Sequence, residues 1–183
     1  HEADDVIGTL AVAAKRLGRQ VMLVTADKDF MQIVDDQIRM WNLRSATGAP
    51  EIYGPAEVEK KFGVRPDQMV DLLALMGDSS DNVPGVPRVG QKTAAELLQQ
   101  FGTLDEALNR TDEVKKPSIR KALQDHRESA ELSRDLVTLH LEVPMDIYLE
   151  TLPPPKPERD ELAEIFRELD FDSLLARLPA AET

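Results

Sequence analysis

Cysteine is absent from the 183 residues, aromatic side chains make up only 4% of them, and the three histidines, His1, His126 and His140, fall at no metal-ligand spacing. A disulfide framework and a thiolate or imidazole zinc site are thereby excluded. Apolar runs such as Val21-Met22-Leu23-Val24 and Leu72-Leu73-Ala74-Leu75-Met76 are far shorter than a bilayer span, so a soluble chain with no membrane partner is expected. The chain opens without Met, and no targeting peptide is visible. Any metal site must be built from oxygen, which favours Mg²⁺ or Mn²⁺.

Basic charge is also scarce. Twenty-two Lys and Arg face 34 Asp and Glu, a formal net charge of -12, and a uniformly acidic surface repels nucleic acid. The distribution reverses that exclusion. From Pro84 to Arg127 stand eight Lys or Arg against six Asp or Glu, so this segment carries +2 and the rest of the chain -14. An acidic half is joined to a mildly basic one, and nucleic acid stays open as a partner.

With 42% hydrophobic residues the chain can bury a core for one domain or one and a half. Asp4-Asp5 leads into the helix-like run Val6 to Ala14, with acid in its first turn and Gly18 at a C-cap position. Val21 to Thr25 reads as a fully buried strand of parallel type, Asp29 to Val34 as a short helix, and Ile38 to Leu43 as a second strand. Thr47-Gly48-Ala49-Pro50 reads as a turn and Glu51 to Tyr53 as a third strand. From Pro55 the period turns helical, with helices expected at Pro55 to Phe62, Pro66 to Met76, Gln91 to Phe101, Leu104 to Leu108 and Ser118 to Leu123. Val143 to Leu149 looks extended, and Leu152 to Pro157 is a stiff polyproline-like connector. Leu162, Ile165, Phe166 and Leu169 mark an amphipathic helix, followed by a short one at Leu174 to Leu178.

Acidic residues gather in three short clusters, Glu2-Ala3-Asp4-Asp5, Asp27-Lys28-Asp29 and Asp78-Ser79-Ser80-Asp81. Each has a local explanation. Glu2, Asp4 and Asp5 occupy a helix start, Asp27 can cap the next turn with Asp29 inside it, and Asp78 and Asp81 can flank an Asx turn. Together they exceed those needs. The strand before Asp27 and Asp29 delivers both to the carboxyl end of a sheet, where functional crevices form. Carboxylates packed within a few ångströms push one another toward protonation unless cations neutralise them, and nitrogen-poor sites of this kind serve two-metal chemistry on phosphodiesters.

A fourth element runs from Val83 to Ala94. Gly85 and Gly90, with Val86 and Val89 between them, make a tight turn with unobstructed amides, and Gly90 hands over to a helix N-terminus. Those amides form a phosphate site, and Arg88 and Lys92 add charge. Gly85, Val86, Arg88, Val89, Gly90, Gln91, Lys92 and Thr93 are therefore the candidate contacts to a nucleic-acid backbone, independent of base sequence. An ordinary αα-hairpin is the alternative.

Glu2-Ala3-Asp4-Asp5-Val6-Ile7-Gly8, Thr25-Ala26-Asp27-Lys28-Asp29-Phe30 and Gly77-Asp78-Ser79-Ser80-Asp81-Asn82-Val83-Pro84-Gly85-Val86 resemble, in that order, the motifs of the 5′ nuclease family. The family includes flap endonucleases and the amino-terminal 5′ to 3′ exonuclease domain of bacterial DNA polymerase I, whose end is similar to Glu168 to Leu178. The resemblance implies an α/β, PIN-like nuclease core, partial here, in residues 1-65. It implies a helical helix–three-turn–helix (helix-hairpin-helix-like) subdomain in 66-150, with a proline-rich connector and helices in 151-183. Glu2 and Asp4, with Asp5 less directly, would hold the catalytic ion; Asp27, Asp29 and Asp81 would serve the shared and second ions, with Asp78 supporting. Glu2, Asp4 and Asp27 are the expected catalytic residues. The resemblance further implies two Mg²⁺ or Mn²⁺ ions in the complete domain, and K⁺ at the hairpin in many members. Its partner would be duplex DNA bearing a 5′ flap, nick or RNA primer, bound by a monomer in the bacterial cytoplasm at the nucleoid.

The family's domain begins with a strand ending in a metal-binding Asp, a second Asp and a helical arch, none of which lies upstream of His1. The chain thus resembles the carboxyl-terminal part of the domain, and weak or absent flap cleavage by these residues alone is the expectation. A stand-alone 5′ nuclease and a non-catalytic duplex-binding module are alternatives. An Asp-x-Asp phosphohydrolase with Asp27 as nucleophile would leave Glu2, Asp4 and the hairpin without a role.

Overall fold

The structure is a computed structural model that describes residues 1-43, 49-146, 149, 152 and 158-179. The expected turn residues Thr47 and Gly48 and the prolines from Pro153 to Pro157 lie outside the described residues. The chain divides into two compact units, His1–Met145 and Asp146–Thr183.

The first unit opens with helix α1 (Ala3–Arg16), which has Asp4 and Asp5 in its first turn and Lys15 and Arg16 in its last, as the helix dipole favours. Gly18 follows in the left-handed region (φ 72°), so the chain reverses into strand β1 (Val21–Val24). A 3-10 turn (Lys28–Ile33) leads to β2 (Ile38–Asn42), and β3 (Glu51–Tyr53) closes a sheet of order β1-β2-β3. β1 and β2 run parallel with Val21 opposite Ile38; β2 and β3 run antiparallel with Met40 opposite Tyr53.

The expectation of a fully buried β1 is corrected here. Leu23 is buried, but Met22 and Val24 are 45% and 58% exposed, and Trp41 and Ile52 share their side of the sheet. Only the Leu23, Ile38, Met40 and Tyr53 face enters the core. A four-residue apolar run does not reveal whether one face or both will be covered.

Helix α2 (Pro55–Phe62) starts on a proline and stops at left-handed Gly63. The 3-10 turn Pro66–Gln68 then feeds α3 (Met69–Met76), whose Met69, Leu72, Leu73 and Leu75 are completely buried. This is the centre of the core. Around it lie α4 (Gln91–Phe101), α5 (Leu104–Asn109) and α7 (Arg127–Val137), and α6 (Pro117–Asp125) adds Ile119 and Leu123 to the same core. Asp71 on α3 accepts the amide of Leu104 at 2.9 Å, pinning α5 to it.

Helix α7 was not expected from sequence. Its segment is charged, and its inward face is only Ala130, Ser133 and Val137. Small side chains are what allow it to press directly on α3, with Ala130 and Ser133 fully buried. After α7 the described residues 138-146 form neither helix nor strand, and Ile147 and Tyr148 of the segment expected to be extended lie outside the described residues. Residues 138-146 are held by side chains of α1: His140 N–H donates to Asp5 Oδ1 at 2.9 Å and Val143 N–H to Thr9 Oγ1 at 3.2 Å.

The second unit contains α8 (Arg159–Glu168) and the short α9 (Asp172–Leu175), with Phe166 and Phe171 in ring contact at 6.4 Å. Among the described residues no helix is long and apolar enough to cross a membrane.

Candidate metal centre and nucleic-acid hairpin

The chain turns at once where β1 ends. Thr25 Oγ1 accepts the amide of Asp27 at 3.1 Å, and Asp27 Oδ1 accepts that of Asp29 at 2.9 Å, capping the 3-10 turn. Capping engages one oxygen of Asp27 and leaves the other, so a local role and a functional one coexist in this residue.

Asp27 is also the electrostatic hub. Burial, then the charges of Asp27 and Asp81, push the Asp29 carboxyl up to about 7. Asp4 is raised by burial and then by Asp27, Glu2 and Asp5. Asp81 is raised by burial, then by Asp78, with Asp27 contributing. One member of each acidic cluster, Asp4, Asp29 and Asp81, thus lies within electrostatic reach of Asp27. Their convergence is a shared field rather than a closed shell: among the described residues, no three His, Cys, Asp or Glu side chains are gathered tightly enough to clasp an ion. One buried oxygen, Asp29 Oδ1, has no hydrogen-bond partner. An orphaned carboxylate oxygen among carboxylate neighbours is a donor of the kind that a hard divalent cation takes.

Two expected ligands are otherwise engaged. Asp5 is buried, its Oδ2 accepts the amide of Glu2 at 3.1 Å and its Oδ1 that of His140, and the His140 amide leads in holding its carboxyl below the usual range. It fastens α1 to the segment after α7. Asp78 is buried as well; its Oδ1 accepts the amide of Ser80 at 2.8 Å and its Oδ2 lies 2.6 Å from Lys28 Nζ. Burial pushes this carboxyl up, but Lys28 and the Ser80 amide outweigh it and hold the group low. Lys28 is a partner that the acidic clusters alone do not reveal, although a lysine flanked by two aspartates is itself a signal.

The hairpin between α3 and α4 rests on two glycines. Gly77 and Gly85 both have positive φ, 72° and 63°. A Cβ on Gly85 would lie 2.4 Å from Gly77 N, and one on Gly77 2.7 Å from Val83 O, so the two backbones touch. Gly85 N–H donates to Ser133 Oγ at 2.9 Å, Ser129 Oγ donates to Gly85 O at 2.8 Å, and Val86 N–H donates to Leu75 O at 2.8 Å. Val89 N–H donates to Val86 O at 3.0 Å.

Gly85, Val86 and Val89, expected among the backbone contacts, are therefore buried with their amides engaged inside the fold. Their apolar side chains and amides lock the turn onto the core. The outward surface is Arg88, Gly90, Gln91 and Lys92, with Thr93 half-buried. Arg88 adopts φ 70°, an uncommon conformation for a side chain of its size. No side chain caps α4 after Gly90, so the first-turn amides of Gln91, Lys92 and Thr93 have no intrahelical acceptor. Gln91 Nε2 donates to Lys61 O at 2.8 Å, fixing this helix start to α2. Ser129 and Ser133, one helical turn apart on α7, support the hairpin and were not foreseen because α7 was not.

Two family descriptions match the chain: "5′-3′ exonuclease, N-terminal resolvase-like domain" over residues 1–63 and "5′-3′ exonuclease, C-terminal SAM fold" over residues 64–160. DNA polymerase I of Bacillus caldotenax is 38% identical over 184 residues, covering 100% of this chain and 21% of that protein, so the chain spans about a fifth of that relative's length. Among solved structures, zinc-bound T5 5′-exonuclease matches with a TM-score of 0.67 at 24% identity, over 76% of this chain and 50% of that one. The catalytic core of Rad2 in complex with DNA substrate matches with a TM-score of 0.60 at 18% identity, over 98% and 62%. These two likenesses bear on the fold, a PIN-like 5′ nuclease core followed by a helical subdomain. With matched segments running from residue 1 to residue 160, the chain belongs to the 5′-3′ exonuclease family.

Proposed function

We propose that the chain hydrolyses phosphodiesters of the 5′ strand of duplex DNA. In this reading it is the 5′ to 3′ exonuclease and flap-endonuclease part of a bacterial DNA polymerase I, serving primer removal and repair. The observation that carries the proposal is the meeting of the three acidic clusters around Asp27, with an orphaned oxygen on Asp29. A divalent cation, Mg²⁺ or Mn²⁺, supplies Lewis-acid polarisation of the phosphate and activation of water when bound. Asp4, Asp27, Asp29 and Asp81 would hold it, with Glu2 at the rim. Burial and acidic neighbours push the Asp29 carboxyl up to about 7, and a bound cation would favour its ionised form. Asp5 and Asp78 keep the surrounding backbone in place.

The hairpin supplies the grip. Exposed Arg88 and Lys92, together with the uncapped amides of Gln91 to Thr93, suit a phosphate and carry no base-reading groups in a fixed array. Residues 1-65 thus form the catalytic part, 66-150 the duplex-binding part and 151-183 the connector with its helices. The same reading carries K⁺ at the hairpin, a monomeric chain and action at the nucleoid. It draws support from the relatives, since the T5 enzyme binds zinc ions and the Rad2 core binds DNA substrate.

A 5′-labelled flap duplex incubated with the chain and Mg²⁺ tests the proposal. Cleavage should be weak: short 5′ fragments should form slowly, only at high concentrations of the chain, and should disappear in EDTA and with Asp27→Asn. Binding without fragments favours a duplex-binding module that does not cleave, a reading that draws on the engagement of Asp5 and Asp78 by internal partners. Absence of both binding and cleavage refutes the two together.

A further inference from the structure

Gln32 lies near the end of the 3-10 turn that Asp27 caps, half-buried, and its side-chain amide bonds only to main chain. Nε2 donates to Asp29 O at 2.8 Å and to Val137 O at 2.9 Å, and Oε1 accepts the amide of Leu139 at 3.1 Å. Val137 is the last residue of α7, where the final carbonyls of a helix find no partner of their own. A side chain from the acidic turn, 105 residues earlier in the chain, supplies one.

Ser129, Ser133 and Val137 are spaced by four and share one stripe of α7. The serines hold the hairpin, since Gly85 N–H donates to Ser133 Oγ and Ser129 Oγ donates to Gly85 O. One turn further along the same stripe, about 6 Å by the helical rise, Gln32 takes hold of the helix end. The stripe is itself anchored, with Ala130, Ser133 and Val137 buried where α7 packs on α3. A glutamine that steadied only its own turn would need no more than the bond to Asp29. Bonds to Val137 and Leu139 join that turn to the helix that carries the hairpin.

We propose that Gln32 is a positioning residue that, through α7, fixes the distance between the hairpin and the acidic turn and so sets where the 5′ strand is cut. The cutting role rests on the nuclease reading given above; the fixed distance does not. A phosphate gripped at the hairpin presents the scissile bond to the carboxylates only while the two parts keep a constant separation. A misplacement of about 1 Å can cost up to about a hundredfold in rate.

The chain has no cysteine, so Ala26→Cys and Lys92→Cys, both at exposed positions, take one spin label each, beside Asp27 and in the first turn of α4. Pulsed electron paramagnetic resonance in EDTA reads their separation without metal, DNA or turnover. Gln32→Met keeps the length of the side chain and loses its bonds, and should shift or widen the distance distribution by about 1 Å or more. Ser133→Ala, at the other end of the connection, should act in the same direction. Gln124→Met removes an amide that donates to Thr111 Oγ1 at 3.1 Å, away from both parts, and should leave the distribution as it is.

On a 5′-labelled flap duplex with Mg²⁺, unlabelled Gln32→Met should bind as the parent chain does, cut about tenfold or more slowly and scatter the cut over neighbouring positions. A merely stabilising glutamine would lower the folded fraction and keep both the distance and the fragment pattern. Unchanged distances in Gln32→Met therefore overturn the inference whatever the cleavage shows, and so does a loosened distance with the parent's fragment pattern. No fragments from the parent chain, with distances moving as expected, overturn the proposed hydrolysis and the cutting role of Gln32 with it. Should Gln32→Met fail to fold, Gln32→Asn, a methylene too short to reach Asp29 and Val137 together, carries the test; failure of both to fold overturns the inference.

Discussion

A buried oxygen bonded to nothing disfavours a carboxylate far more than a carboxylic acid, and Asp29 carries such an oxygen. The folded chain keeps its proton to about pH 7, whereas the ordinary value is 3.8. Between those limits the folded state binds more protons than the unfolded one, so stability falls as pH rises and the whole penalty stands above about pH 7. Asp4 and Asp81, also raised, act in the same direction. Asp5, Asp35 and Asp78 are held low and have the opposite sign, but their stabilisation is lost only as pH falls through the acid range. Asp29 therefore governs the neutral window. Discounted for solvent screening of its exposed part, its penalty is on the order of 1–2 kcal/mol, or roughly 2–8 °C in melting temperature for a chain of this length. In EDTA the contribution of Asp29 to the melting temperature should fall by that amount between about pH 4 and pH 8, and Asp29→Asn or added Mn²⁺ should remove most of the decline. A flat calorimetric profile for the parent chain would sink this account of Asp29.

Two glycines of the hairpin loop look alike in sequence and differ in what they permit. Gly85→Ala places a methyl 2.4 Å from a backbone nitrogen at positive φ, and no rotamer relieves a backbone clash. A loss of at least about 2 kcal/mol is expected, read as a shift of the urea midpoint. Gly90 has extended backbone, and a Cβ there meets nothing within 4 Å, so Gly90→Ala should cost less than about 1 kcal/mol through weaker capping. Its effect, if the adjoining amides grip phosphate, belongs in DNA affinity and not in stability. Ser133→Ala should cost about 1–3 kcal/mol, because it leaves the buried amide of Gly85 without an acceptor. The periodic helices α1 to α5, the strands and the turn glycines were legible because apolar spacing, prolines and glycines mark them locally. Helix α7 was not. Its contact with α3 depends on small residues, which carry no hydrophobic signal, and with it went the serines that hold the turn. For the same reason the spacing of Val86 and Val89 does not show which way the loop folds, and both side chains turn into the core.

Over the whole molecule, the carboxylates that repel DNA and the groups that would bind it belong to different stretches of chain. The net charge is -12, yet the segment from Pro84 to Arg127 is +2. Within it, Lys116, Lys121, Arg110 and Arg127 are already paired with acids of the fold. Arg88 and Lys92 are exposed together at the start of α4, beside its uncapped amides, while exposed Lys115 stands apart before α6; the hairpin is therefore the favoured place for a polyanion. Few phosphates can then be neutralised, so binding should be of modest affinity and its salt dependence shallow. Each phosphate contact contributes about 0.9 to the slope of log K against log salt for duplex DNA. Lys92→Ala and Arg88→Ala should therefore each lower that slope by about 0.9 and weaken binding to all sequences alike. Lys121→Ala is the control, since its charge is taken up by Asp125 at 3.0 Å on the other side of the chain's basic segment from the hairpin. Fluorescence anisotropy of a labelled duplex across a salt series reads all three. A slope lowered by Lys121→Ala but not by Lys92→Ala would move the interface away from the hairpin to α6.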